Sequence, residues 1–136
     1  MANLSKRALQ CAVAVCSLVP ISAGAAGVWL GPALVAGAGA GDLDSHFRYL
    51  SGLLLAIGLG YASGVPSIER RRGRFLLLGG IVVTGGIGRL WSLLSIGTPS
   101  AVMIFALIME LAVTPLLTLW QFRISSRLGV QRTPPF

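Results

Sequence analysis

Four long apolar stretches, at about residues 8–31, 47–65, 75–96 and 99–120, leave only short polar connectors between them. Each comes close to the roughly 20 residues that carry an α-helix across the hydrocarbon core of a bilayer. Backbone groups in lipid must find their partners internally, and a single segment achieves that only as a helix. The pattern predicts an all-α membrane protein, a four-transmembrane-helix bundle in one membrane domain over 1–136, with a basic tail at 121–136. Charged residues make up only 11% of the chain, against about a quarter in soluble domains. Away from the ends of the spans stand two formal charges, Arg89 and Glu110.

The first stretch follows Lys6 and Arg7 and imitates a secretory signal, with small residues at Ala23, Gly24 and Ala25 in the place of a cleavage site. Its apolar run exceeds the 7–15 residues or so of a signal core, so a retained helix is expected. Pro20 is expected to kink it. Cys11 and Cys16 are five residues apart. They diverge on a helix and read as small packing residues.

Lys and Arg outnumber Asp and Glu by 11 to 4. The cations lie between apolar spans and form no continuous basic face, which argues against nucleic acid and for membrane topology. Lys6 and Arg7, the connector Arg70, Arg71, Arg72 and Arg74, and the tail Arg123, Arg127 and Arg132 fall on one side of the spans. The positive-inside rule places that side, with both termini, in the cytoplasm. Trp29 and Tyr49 near one face and Trp120 near the other suit interfacial anchoring. Thr98 is the expected N-cap of the fourth span, with Pro99 in its first turn. Asp42, Asp44 and His46 alternate in the longest connector but lack a fourth ligand, so no metal is assigned, and Asp44 or Ser45 reads as a helix cap.

Small residues recur at four-residue spacing. Gly52, Ala56, Gly60 and Gly64 line one row of the second span; Gly80, Thr84, Gly88 and Ser92 line one of the third; Ala23, Gly27 and Gly31 do so in the first. Lipid removes the hydrophobic drive between helices, so small residues that admit close backbone approach mark packing faces. The rows are expected to serve packing within the chain, with docking of another membrane protein as the alternative.

Counted from the turn at Gly97 and Thr98, Arg89 and Glu110 differ in depth by roughly 5 Å at about 1.5 Å per residue, so their side chains are able to meet. Ala106, Glu110, Thr114 and Thr118 add a weakly polar stripe, and Pro115 loosens the backbone beside it. The pair reads first as a structural lock on helix register. The alternative is a polar pocket for a lipid head group, a quinone or a proton. The sequence has no phosphate loop, no nucleophile matched to a histidine and no paired carboxylates, so no enzyme activity is expected and no cofactor is implied.

Arg48, Tyr49, Leu50, Ser51 and Gly52, the turn at Pro66 to Glu69, and Gly85, Gly86, Ile87, Gly88, Arg89 and Leu90 carry a resemblance to a known family. Gly97, Pro99, Glu110, Pro115 and Trp120 extend it. With these residues the chain resembles the bacterial family catalogued as domain of unknown function 4345. The resemblance implies a small four-helix protein of the bacterial inner membrane and supplies no reaction. Together the readings point to a non-enzymatic accessory or assembly subunit that meets the lipid bilayer and a membrane-protein partner. A small lipid-, quinone- or proton-linked carrier built on Arg89 and Glu110 is the alternative.

Overall fold

A computed structural model of the chain describes residues 2–34 and 41–130. Helix α1 covers Ala2–Leu30, α2 Gly41–Gly64 and α3 Arg72–Ile96; α4 runs over 101–130, with a π-helical turn at Met109–Val113 between α-helical Ala101–Ile108 and Thr114–Val130. Short 3-10 turns at Gly31–Leu34 and Val65–Arg70 follow α1 and α2. All four helices are long and apolar enough to cross a bilayer, so this is an all-α, multi-pass membrane protein.

The helices outrun the apolar stretches because charged residues continue them past the hydrocarbon boundary. Helix α2 starts at Gly41, so Asp44, Ser45 and His46 belong to its first turns and not to a connector. Neither Asp44 nor Ser45 is therefore its cap. Helix α4 starts later than expected: its N-cap is Ser100, whose carbonyl accepts the Met103 and Ile104 N–H groups, while Thr98 and Pro99 stay outside the helix. Gly97, at φ 121, ends α3 in a backbone conformation that glycine alone adopts readily. Helix α1 continues through Pro20. The Ala36–Ala40 part of the glycine and alanine repeat, the Asp42 side chain and the tail residue Arg132 lie outside the described residues.

The chain parts into two compact units, Cys11–Val65 and a second made of Met1–Gln10 with Pro66–Phe136. In the first, α1 and α2 meet backbone to backbone. A Cβ on Gly24 would stand 2.5 Å from the Leu55 amide nitrogen and 2.7 Å from the Ser51 carbonyl; one on Gly58 would stand 2.9 Å from the Ile21 nitrogen. Gly27 packs onto the Ser51 side chain. The contact row of α2 is thus Ser51, Leu55 and Gly58. The expected row of Gly52, Ala56, Gly60 and Gly64 is turned by about 100° along most of its length, the angle between successive residues. Ala56 is exposed, and a Cβ on Gly52 would only graze Val28 at 3.9 Å, although Gly64 is buried.

Arg48 closes the end of α1. Its Nη1 donates to the Val28 carbonyl at 2.6 Å and to the Trp29 carbonyl at 3.0 Å, while its Nε and Nη2 grip the Asp44 carboxylate at 2.8 and 3.1 Å. A cation here satisfies orphan carbonyls and meets the negative end of the helix dipole. Gly31, at φ 63, leaves room for both side chains. Arg48→Ala is expected to lower the thermal midpoint of the purified protein. Arg48→Lys should restore only part of it, since an ammonium lacks the planar fork that serves Asp44 and two carbonyls together.

The second unit is pinned where its elements end. Leu9, Ile68, Phe75 and Ile124 are buried together with Gln121, whose Nε2 donates to the Ile68 carbonyl at 2.7 Å. Ser125 donates to the Glu69 carbonyl at 2.8 Å, Lys6 pairs with the Glu69 carboxylate at 3.0 Å, and Trp120 Nε1 reaches Ser5 Oγ at 3.3 Å. These bonds tie the first turns of α1, the 3-10 turn Val65–Arg70 and the late turns of α4 into one polar layer.

Candidate functional site

The site is built by α3 and α4, both in the second unit. On α3, Gly86 lies one turn before Arg89 and on the same face. A Cβ on Gly86 would stand 2.9 Å from Glu110 Cβ and 2.7 Å from Leu111 Cδ2, so the bare glycine lets α4 come close enough for the ion pair to form. On α4, Met103 and Glu110 are two turns apart on one face.

Pro115 accounts for the local shape of α4. It has no N–H to give the Leu111 carbonyl, and its ring would press on that carbonyl in a regular α-helix. The chain widens instead into the π-turn Met109–Val113, where the Thr114 N–H bonds to the Met109 carbonyl five residues back. The Thr114 hydroxyl donates to the same carbonyl at 2.9 Å. Glu110 projects from this widened turn.

Arg89 and Glu110 meet fork to fork. Arg89 Nε donates to Glu110 Oε2 at 3.0 Å and Nη2 to Oε1 at 3.1 Å, while Nη1 rests on Met103 Sδ at 2.9 Å. Paired this way, each charge neutralises the other and both carboxylate oxygens are engaged. The Glu110 side chain is 17% exposed and that of Arg89 34%, so the acid is the better covered partner. The expected polar stripe does not extend the site: the Thr114 and Thr118 hydroxyls are turned onto the carbonyls of Met109 and Thr114 in their own helix.

Gly80, Thr84, Gly88 and Ser92 are all exposed, and a Cβ on Gly80 or Gly88 would meet nothing within 4 Å. The inward row of α3 is instead Phe75, Gly79 and Gly86. Sequence reasoning missed Gly86 because the regular ladder one row away drew attention from it. Its spacing of three residues from Arg89 was the available signal. Trp29 and Tyr49 are exposed, as anchors at an interface would be, whereas Trp120 is half-buried and bonded to Ser5. Arg70, Arg71, Arg72, Arg123 and Arg127 are exposed, and Arg74 is half-buried.

No curated protein and no solved structure matches the chain. The model of the family described as "Domain of unknown function (DUF4345)" matches residues 8–121, a stretch that takes in both members of the ion pair, and the chain belongs to that family.

Proposed function

We propose that this protein is a non-enzymatic accessory or assembly subunit of a larger membrane complex, seated in the bacterial inner membrane with both termini in the cytoplasm. The orientation rests on the arginines at the connector and tail. The observation that carries the docking role is the unpartnered small-residue row of α3, where Gly80, Thr84, Gly88 and Ser92 stand exposed beside the bare Gly85. Another helix can approach such a face to backbone distance and gain dispersion contact that lipid chains do not match. The two charges inside the spans, Arg89 and Glu110, are already matched to each other, consistent with a part that holds its shape rather than one that turns over a substrate.

Native mass spectrometry of the protein gently extracted from its own membrane tests this. The expected result is a stoichiometric membrane subunit that is lost in Gly88→Ile while helix content and thermal midpoint stay near wild type. A lone, monodisperse chain would refute the proposal. The carrier reading has one feature in its favour: Arg89 is one-third exposed, and among the described residues its Nη1 has only a thioether as acceptor. A quinone or lipid oxygen is a better acceptor than sulfur. A bound small molecule lost on Arg89→Gln would favour that reading.

A further inference from the structure

We infer that the second unit carries a binding site for an anionic phospholipid, with its head-group phosphate among the connector arginines and an acyl chain along α3. Arg70, Arg71 and Arg72 are exposed on consecutive residues, and Arg123 stands exposed on α4. Two of these side chains are already held. The Arg72 guanidinium lies 3.6 Å above the Phe122 ring, and Arg71 Nε donates to Ser67 Oγ at 3.2 Å. Each keeps further N–H donors for an oxyanion. Glu69 adjoins this cluster in sequence, and Lys6 pairs with it. In the same unit, Glu110 is taken by Arg89.

Beyond Arg72, the exposed Leu76, Leu77, Gly80, Ile81 and Thr84 of α3 line a shallow, open apolar depression. Arg72, Leu76, Gly80 and Thr84 follow one another at four-residue steps, so the arginine stands at the head of the row that floors the hollow. Gly80 supplies its depth, since nothing lies within 4 Å of where its Cβ would be. Cations at a helix end above an apolar trough in the hydrocarbon match the two ends of a phospholipid. An acidic protein segment would use the arginines and leave the trough unexplained. A chain seated over 76–84 takes Gly80 and Thr84 from the small-residue row, so the proposed protein partner meets the later part of that row, Gly88 and Ser92, beside Gly85.

The test uses the full chain, purified in detergent and offered diacyl phosphatidylglycerol or phosphatidylcholine, with retained lipid counted by native mass spectrometry. Phosphatidylglycerol should be retained at least about tenfold better, the preference falling as salt rises. A basic residue at a membrane surface changes binding about fivefold, so Arg70→Gln/Arg71→Gln/Arg72→Gln should reduce retention on the order of a hundredfold. The matching triple lysine variant should keep most of it, which separates lost charge from lost folding. Gly80→Leu, which fills the trough, should weaken phosphatidylglycerol retention with every arginine in place. Equal retention of the two lipids would overturn the inference. So would displacement of phosphatidylglycerol by millimolar inorganic phosphate, which would mark a site for the free anion. Unchanged lipid retention in the triple glutamine variant, with loss of a copurifying acidic protein, would overturn it in favour of a protein partner.

Discussion

Glu110→Ala is expected to destabilise the protein by about 3 kcal/mol or more, a large share of the 5–15 kcal/mol or so that holds a typical domain folded. The variant removes both acceptors that Arg89 Nε and Nη2 use and leaves the guanidinium resting on the Met103 sulfur. Sulfur accepts weakly, and lipid offers no water to replace the carboxylate. Glu110→Gln should fall between the variant and wild type, because the amide keeps one oxygen acceptor while losing the charge and half of the fork. The double variant Arg89→Leu/Glu110→Leu should recover much of the loss, since removing both charges leaves no orphan. Equilibrium unfolding in mixed micelles measures all four proteins on one scale. A Glu110→Ala protein as stable as wild type would mean that the pair does not hold α3 to α4.

The second large effect is expected from a single methyl group. In Gly24→Ala the new Cβ meets Leu55 N at 2.5 Å, Ser51 O at 2.7 Å and Leu55 Cα at 2.8 Å, all of them main-chain atoms of α2. No rotamer relieves such contacts, so α1 and α2 must separate by close to an ångström along their crossing. Overpacking of a tight interface costs about 1–3 kcal/mol, and the upper end is expected here because backbone moves as a body. Gly27→Ala should also be costly: the Ser51 hydroxyl can turn away at the cost of its 2.8 Å bond to the Phe47 carbonyl, but Ser51 Cβ, fixed to the α2 backbone, would still stand 2.7 Å from the new methyl. Gly80→Ala is the control. With open space at that position it should be neutral, or stabilising by up to about 1 kcal/mol through helix propensity. If Gly24→Ala and Gly80→Ala gave the same thermal midpoint, the close crossing of α1 and α2 would be wrong.

These glycines show where sequence reasoning reaches and where it stops. A four-residue ladder identifies a helix able to pack closely, but adjacent rows on one helix are about 100° apart and each of these helices has small residues in more than one row. In α2 the regular row of Gly52, Ala56 and Gly60 was the visible one, while contact falls on Ser51, Leu55 and Gly58. In α3 the regular row faces away, and Gly79 and Gly86 face in. Arg48 was legible only as a charge near an interface. Its work as the cap of α1 depends on two carbonyls nearly twenty residues earlier, a relation that no local pattern encodes.

The sequence by itself determined the material and the number of helices. Apolar runs of bilayer length admit no other regular structure, because lipid offers the backbone nothing to bond to. It also singled out Arg89 and Glu110, since a charge deep in such a run stands out against its neighbours. Tertiary structure alone decided that these two side chains join fork to fork, that Gly86 makes room for them, and which row of α3 stands exposed among the described residues. Those outcomes depend on the rotation of each helix about its axis. Rotation is set by the summed fit of backbone and side chains between helices, and that sum exists only once the helices have met.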